Sequence, residues 1–312
     1  MLSRRDVLAT AVAGAAMSTT AAAAASFGNP DEPPQGAINA KNPASVTDPG
    51  PQNPAIRDQF PSAFSPPATD VGSMPQIWAS FNNAPRRIQD GGWARQVTQA
   101  DFPISKTIAG VNMRLTAGGV RELHWHQAAE WAYMTYGNCR ITVLDPEGRP
   151  YVADVKEGDI WYFPAGYPHS LQGLEPDGCE FVICFDDGAA GEFNTLLVTD
   201  WFAHTPPSVL AANFGAPAET FANIPLHNLW IFQGKVPGDL PAVRKAMTGN
   251  AETPPQPFTF SLATSPNLNG TKNGTLHLAD SSTFKVSTTI AAVVQTVPPG
   301  AMRSMHWHPN AD

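Results

Sequence analysis

The sequence predicts an all-β protein built from two jelly-roll barrels of the double-stranded β-helix kind, the second of them incomplete. Three observations lead there. Short runs of alternating apolar and polar residues recur between Gly- and Pro-rich turns. The 312 residues include 31 Pro and 25 Gly, and only 15% are charged, which suits many short strands and argues against long helices. The chain also repeats itself. Residues 104–126, ISKTIAGVNMRLTAGGVRELHWH, lie over residues 286–308, VSTTIAAVVQTVPPGAMRSMHWH, without a gap at an offset of 182. A repeat of that length implies two domains of one architecture.

Taken in order, residues 1–25 are read as a leader, with Arg4-Arg5 after Ser3, an Ala/Val stretch and a small-residue end. Its Ser-Arg-Arg-Asp-Val-Leu start resembles a twin-arginine export signal, so a periplasmic or secreted location is expected. The stretch is too weakly hydrophobic for a membrane span, and none is expected in the mature chain. Residues 26–90 form a Pro-rich arm with little periodicity, although Phe60, Phe64, Ile77, Trp78 and Phe81 suggest that its later part docks on something, a neighbouring subunit included.

Residues 91–233 carry the first β domain. Alternating runs at 107–115 and 121–126, a hairpin from 139–144 through Asp145–Gly148 to 150–155, and strands at 159–163 and 180–185 are expected. Residues 206–214, with Pro at the start and Gly215 past the end, read as a short helix, and 219–224 as another. A linker at 234–257 then leads to the opening of the second domain at 258–312. The net charge is −8, from 19 basic and 27 acidic residues, and no basic run in the mature part marks a nucleic-acid footprint. Cys139, Cys179 and Cys184, an odd set in strand-like runs, are expected as buried thiols and not as a disulfide framework.

The chemistry gathers at residues 118–137, GGVRELHWHQAAEWAYMTYG. On a strand, His124 and His126 share one face, with Leu123 and Trp125 on the other, packed side. Glu130 can return to the same mouth across a tight bend. Residues 158–170, GDIWYFPAGYPHS, add His169 from a second strand. Three imidazoles and a carboxylate make a nitrogen/oxygen site for a first-row metal ion. Together the two stretches resemble the paired motifs of the cupin superfamily, with Gly173 where the second motif usually closes on Asn. By the repeat, His306 and His308 look like the opening ligands of a second site. Asp312 then falls at the position of Glu130, as a shorter ligand or just ahead of the family-type Glu.

With the repeat added, RELHWHQAAEWAYM, WYFPAGYPHSLQGLE, CFDDG and LVTDWFAHTP make the chain similar to the bacterial bicupin oxalate decarboxylases, here a C-terminally truncated one. That resemblance implies oxalate as substrate, formate and carbon dioxide as products, and one manganese per complete cupin site, with dioxygen as redox partner. It implies His124, His126, Glu130 and His169 as ligands and Arg121 as the arginine that holds the substrate. Glu192 and Thr195 fall in Gly-Glu-Phe-Asn-Thr, where the family has a short mobile lid, usually Ser-Glu-Asn-Ser-Thr, carrying the catalytic Glu and ending in a Thr that contacts substrate. A homo-oligomer is expected. An oxalate oxidase releasing hydrogen peroxide and a non-catalytic bicupin binding or storage protein are the alternatives. A proton donor in the lid speaks against the first, and a complete ligand set against the second.

Overall fold

The computed structural model describes residues 77–81, 84–247, 252–269 and 272–308. The leader, most of the arm, and Asp312 lie outside the described residues. Two antiparallel sheets share one long strand. The first runs β1 (Arg87–Gln89), β2 (Gly92–Val97), β3 (Ala109–Leu115), β9 (Cys179–Phe185), β5 (Glu130–Leu144), β7 (Ile160–Phe163) and β12 (Thr259–Phe260). The second places β6 (Pro150–Lys156) and β8 (His169–Gly173) on either side of the C-terminal half of β5. Beyond β8 comes β4 (Gly119–Trp125), which also pairs with β10 (Leu196–Leu197) and β11 (Ile231–Gln233).

Strand β5 changes sheets at a single bend. Its register slips between Met134 and Tyr136, and Gly137 follows at φ +71°. A side chain at Gly137 would meet the Gly178 carbonyl oxygen at 2.1 Å, so only glycine lets the strand turn there. Val111, Met113, Leu115, Met134, Ile141, Trp161, Phe181 and Ile183 fill the space between the sheets. Burying each such side chain contributes roughly 1.5–3 kcal/mol. Strand β9 alternates strictly, with Cys179, Phe181, Ile183 and Phe185 facing in.

All four residues of β7 are buried because its outer face is covered as well. Ile160 and Tyr162 pack with Ala129 against Leu262, Ala279, Phe284 and Ala292 from the later part of the chain. That later part carries β13 (Thr275–Ala279) and β14 (Ala292–Thr296), and here the repeat shows in the backbone. Leu276 pairs with Gln295 and Ala279 with Ala292, as Ala94 pairs with Met113 and Val97 with Gly110. Each residue stands 182 positions after its counterpart. Gly274 at φ +119° and Gly92 at φ +147° occupy matching hairpin positions. The Ser287 hydroxyl donates to the Ile290 carbonyl at 2.6 Å, as Ser105 does to Ile108 at 2.6 Å. A second unit of the same design begins here.

The helices are α1 (Val198–Ala203), α2 (Pro207–Phe214) and α3 (Leu240–Ala246). Helix α2 ends at Gly215 in the left-handed conformation (φ +61°), as its sequence predicts. Residues 219–224 do not form an α-helix. A 3-10 turn at Ala218–Phe221 stands in their place. The segment 234–257 is not irregular throughout, because Asp239 caps α3 by accepting from the Ala242 amide at 3.3 Å. In the arm, the Phe81 ring lies over Gly110 of β3, so part of it docks on its own barrel.

The three cysteines are free, with Cys139 and Cys179 buried and Cys184 half-buried. Burial, helped by nearby Asp186, pushes the Cys184 thiol up to about 11. The thiolate is the reactive form, and at pH 8 only about one Cys184 in a thousand would carry it. Native protein at that pH should resist iodoacetamide while unfolded chain labels at all three positions, as mass spectrometry would read. Rapid labelling of Cys184 in native protein would contradict this environment.

Candidate metal centre and active site

Strand β4 brings His124 and Arg121 to the barrel interior, and His126 follows directly after it. Glu130 opens β5 after a bend at residues 127–129, and His169 opens β8 opposite His124. All four are buried, and one ligand atom from each lies within 4.8 Å of the others. Among the described residues this is the group of side chains arranged to hold a metal ion.

The three imidazoles are oriented alike. Nδ1 of His124 donates to the Glu122 carbonyl at 2.5 Å, that of His126 to Ala128 at 2.7 Å, and that of His169 to Tyr167 at 2.8 Å. A carbonyl can only accept, so each Nδ1 carries the proton and each Nε2 points inward. Burial pulls the pKa of His124 well down, and burial lowers His169 too, so both rings are neutral. The Glu130 Oε1 accepts from the Trp161 indole at 2.9 Å. Its Oε2 lies 3.3 Å from Nε2 of His126 and 3.4 Å from Nε2 of His169. Lone pairs facing a carboxylate with no proton between them repel, and a cation is what relieves this. The residues fit a divalent ion with nitrogen and oxygen ligands.

Arg121 does not follow simple alternation. Three residues from His124, it belongs on the opposite face of a regular strand, with Leu123 and Trp125. The pairing of β4 with β8 slips between Arg121 and His124, and that bulge turns both inward. The expected packed face at Leu123 and Trp125 is not found. Leu123 is 55% exposed, and Trp125 is half-buried against Trp201 at 5.8 Å between ring centres. Burial pulls the Arg121 pKa down, with Glu192 opposing, and a guanidinium remains charged at any physiological pH.

Glu192 sits in a 3-10 turn, Glu192–Asn194, and is 4% exposed. Its Oε1 lies 4.0 Å from Arg121 Nε and has no hydrogen-bond partner among the described residues. Arg121, Glu192, Thr195, His124, His126 and Glu130 line one small cavity. Sequence reading missed the residues that support it. Glu122 is buried, accepts from the Thr199 amide at 3.2 Å and the Trp230 amide at 3.1 Å, and so ties α1 and Trp230 to β4. Trp230, at φ +54°, accepts at its carbonyl from Arg121 Nη1 at 3.3 Å. Only the lid-like turn hinted at these, and it does not name them.

His306 and His308 are exposed and stand outside any strand, their rings 5.3 Å apart. In the first unit β4 forms its ladder with β8, β10 and β11, whose counterparts 182 positions on fall past residue 312. Among the described residues, 301–308 belong to no strand.

The sequence profile of the family described as Cupin matches residues 79–221. Oxalate decarboxylase OxdC of Bacillus subtilis (strain 168) is 48% identical over 252 residues, which are 81% of this chain and 64% of that protein. An oxalate decarboxylase of Arthroderma benhamiae is 34% identical over 289 residues, covering 84% of this chain and 67% of its own length. The chain belongs to the oxalate decarboxylase family of cupins. A solved structure of the B. subtilis oxalate decarboxylase, from work on its Mn(II) centres, matches with a TM-score of 0.74 at 46% identity over 83% of this chain and 68% of that one. The chain thus spans somewhat under two thirds of the length of the Bacillus member of the family.

Proposed function

We propose that this chain converts oxalate to formate and carbon dioxide, with one manganese ion held by His124, His126, Glu130 and His169. The observation that carries the reading is Glu192, whose bare Oε1 shares a small cavity with Arg121 and three of the four ligands, His124, His126 and Glu130. The bound ion, with dioxygen as redox partner, would supply the electron transfer that lets the carbon–carbon bond break. The chain's own residues do the rest. Oxalate offers no hydrocarbon to bury, so the Arg121 guanidinium holds one carboxylate through charge-assisted hydrogen bonds. Thr195, at the end of the lid, adds a hydroxyl. The lid turn, with Glu192 buried beneath an exposed Phe193, screens the cavity from bulk water. Loss of carbon dioxide leaves an electron pair on the remaining carbon, and Glu192 delivers to it a proton that its bare Oε1 has first taken up from water. Oxalate dianion and one proton give formate and carbon dioxide, so one proton is consumed per turnover. Family membership and the Mn(II) centres of the Bacillus relative support this assignment.

The same reading takes residues 91–233 as the first cupin domain and 258–312 as the start of the second, joined through 234–257. The matching hairpins support that division. It takes residues 1–25 as an export leader, the assembly as a homo-oligomer, and His306 and His308 as ligands once their barrel is complete.

The deciding experiment supplies oxalate to the full-length gene product and scores formate against hydrogen peroxide. Predominant formate is expected, and predominant peroxide would make the enzyme an oxidase. Manganese stands low in the affinity series, so loading follows availability and not binding strength. Metal analysis of active enzyme folded in manganese-rich cells should find about one manganese per complete site. Fully active enzyme containing mainly zinc would refute the assignment.

A further inference from the structure

We propose that Arg87 is the positioning residue that latches Glu192 over the site, an inference that rests on reading Glu192 as the proton donor. The two are 105 residues apart in sequence, yet Arg87 Nη2 donates to Glu192 Oε2 at 2.6 Å, in a charge-assisted hydrogen bond. With Oε2 engaged, Oε1 is left facing the cavity, buried and bare. The division of labour within one carboxylate is geometric. Arg87 takes the outer oxygen, and the reacting atoms are left the inner one.

Arg87 is itself held on three sides. Its Nη1 donates to the Gln89 side chain, which in turn accepts from the Ile231 amide at 3.1 Å and donates to the Leu229 carbonyl at 2.9 Å. Its guanidinium lies 4.8 Å from the centre of the Trp230 ring, and Arg121 lies 5.3 Å from a ring of the same indole. The lid's Phe193 closes the stack, 5.5 Å from Trp230 and 6.0 Å from Arg87. Trp230 is the non-glycine residue at positive φ among the described residues, a conformation that a bulky side chain adopts only when its surroundings impose it. Strand β1 and the segment leading into β11 thus meet the lid at one indole. Opening the lid breaks the Arg87 pair and separates Phe193 from Trp230 in the same movement.

The test uses the metal-loaded full-length protein with two readouts. The first is cleavage after Glu192 by a glutamate-specific protease, which needs the turn to open. The second is the split of product between formate and peroxide. Arg87→Ala should speed that cleavage about tenfold, lower kcat for formate about tenfold, and raise the peroxide share. Manganese content should hold, and KM should move little because Arg121 remains. In a Glu192→Gln background, Arg87→Ala should change formate output no further, since both act through one carboxylate. Arg87→Lys keeps the charge and the strand but not the planar fork, so it should fall between wild type and Ala. It also serves if the Ala variant loses its metal. Wild-type cleavage and product split in a manganese-loaded Arg87→Ala or Arg87→Lys protein would overturn the latch. Unaltered formate output in Glu192→Gln alone would overturn the proton-donor reading beneath it, without Arg87 having been touched.

Discussion

Glu192→Gln should lower formate production by about 10²–10⁴-fold, the range that general acid–base catalysis contributes. Gln keeps the shape of the side chain, and its amide oxygen can still accept from Arg87, so the lid should close as before. What it cannot do is give up a proton to the carbon left after carbon dioxide departs. The intermediate then persists beside dioxygen, and oxidation should take a growing share, seen as hydrogen peroxide. Manganese content should match the wild type, because Glu192 is not among the four residues whose ligand atoms converge. Simultaneous assays of formate and peroxide on the purified variant check this. Formate output at the wild-type level would remove Glu192 from the reaction and shift attention to the second barrel.

Arg121→Ala should cost between ten- and a hundredfold in kcat/KM. A hydrogen bond to a charged partner is worth roughly 1.5–3 kcal/mol, and about 1.4 kcal/mol is tenfold in rate. Glu192 would also lose the guanidinium 4.0 Å from its inner oxygen. Arg121→Lys should recover little of this, because a point charge does not reproduce a planar fork against a carboxylate. Steady-state kinetics alongside metal analysis would separate the two effects. Near wild-type turnover in Arg121→Ala would mean that this barrel is not the working one.

The ligand set was legible because its information is local. His124 and His126 differ by two and share a face of β4, Glu130 comes one bend later, and His169 opens a strand after a Pro-Gly turn. The inward position of Arg121 was not legible from alternation. Positions 121 and 124 have opposite parity, and only the bulge found in the pairing with β8 reconciles them. The same slip leaves Leu123 in solvent, against the pattern. Of strand β5 only residues 139–144 read in sequence as a strand, whereas it runs from Glu130 through Gly137, where it changes from one sheet to the next. Helix α3 hid in a Pro- and Gly-rich stretch, although Asp239 followed by Leu240 and Pro241 is a helix start. Arg87, Glu122 and Trp230 carry no motif at all. Their partners lie 105, 77 and 109 residues away, and only the closed fold brings them together.

The sharing of β5 between both sheets also bears on the order of events during folding. Glu130 begins a strand that is paired on one side of its bend with β9 and β7 and on the other with β6 and β8. His169 enters only with β8, which follows the β5–β6 hairpin along the chain, and the lid comes later still. Contacts of such long sequence separation form slowly, because the loops between them must close first. The full set of four ligand atoms therefore comes together only once β8 has joined β4 and β5. The free energy of an ion held by all four would be linked to the folded barrel, which it would stabilise by mass action.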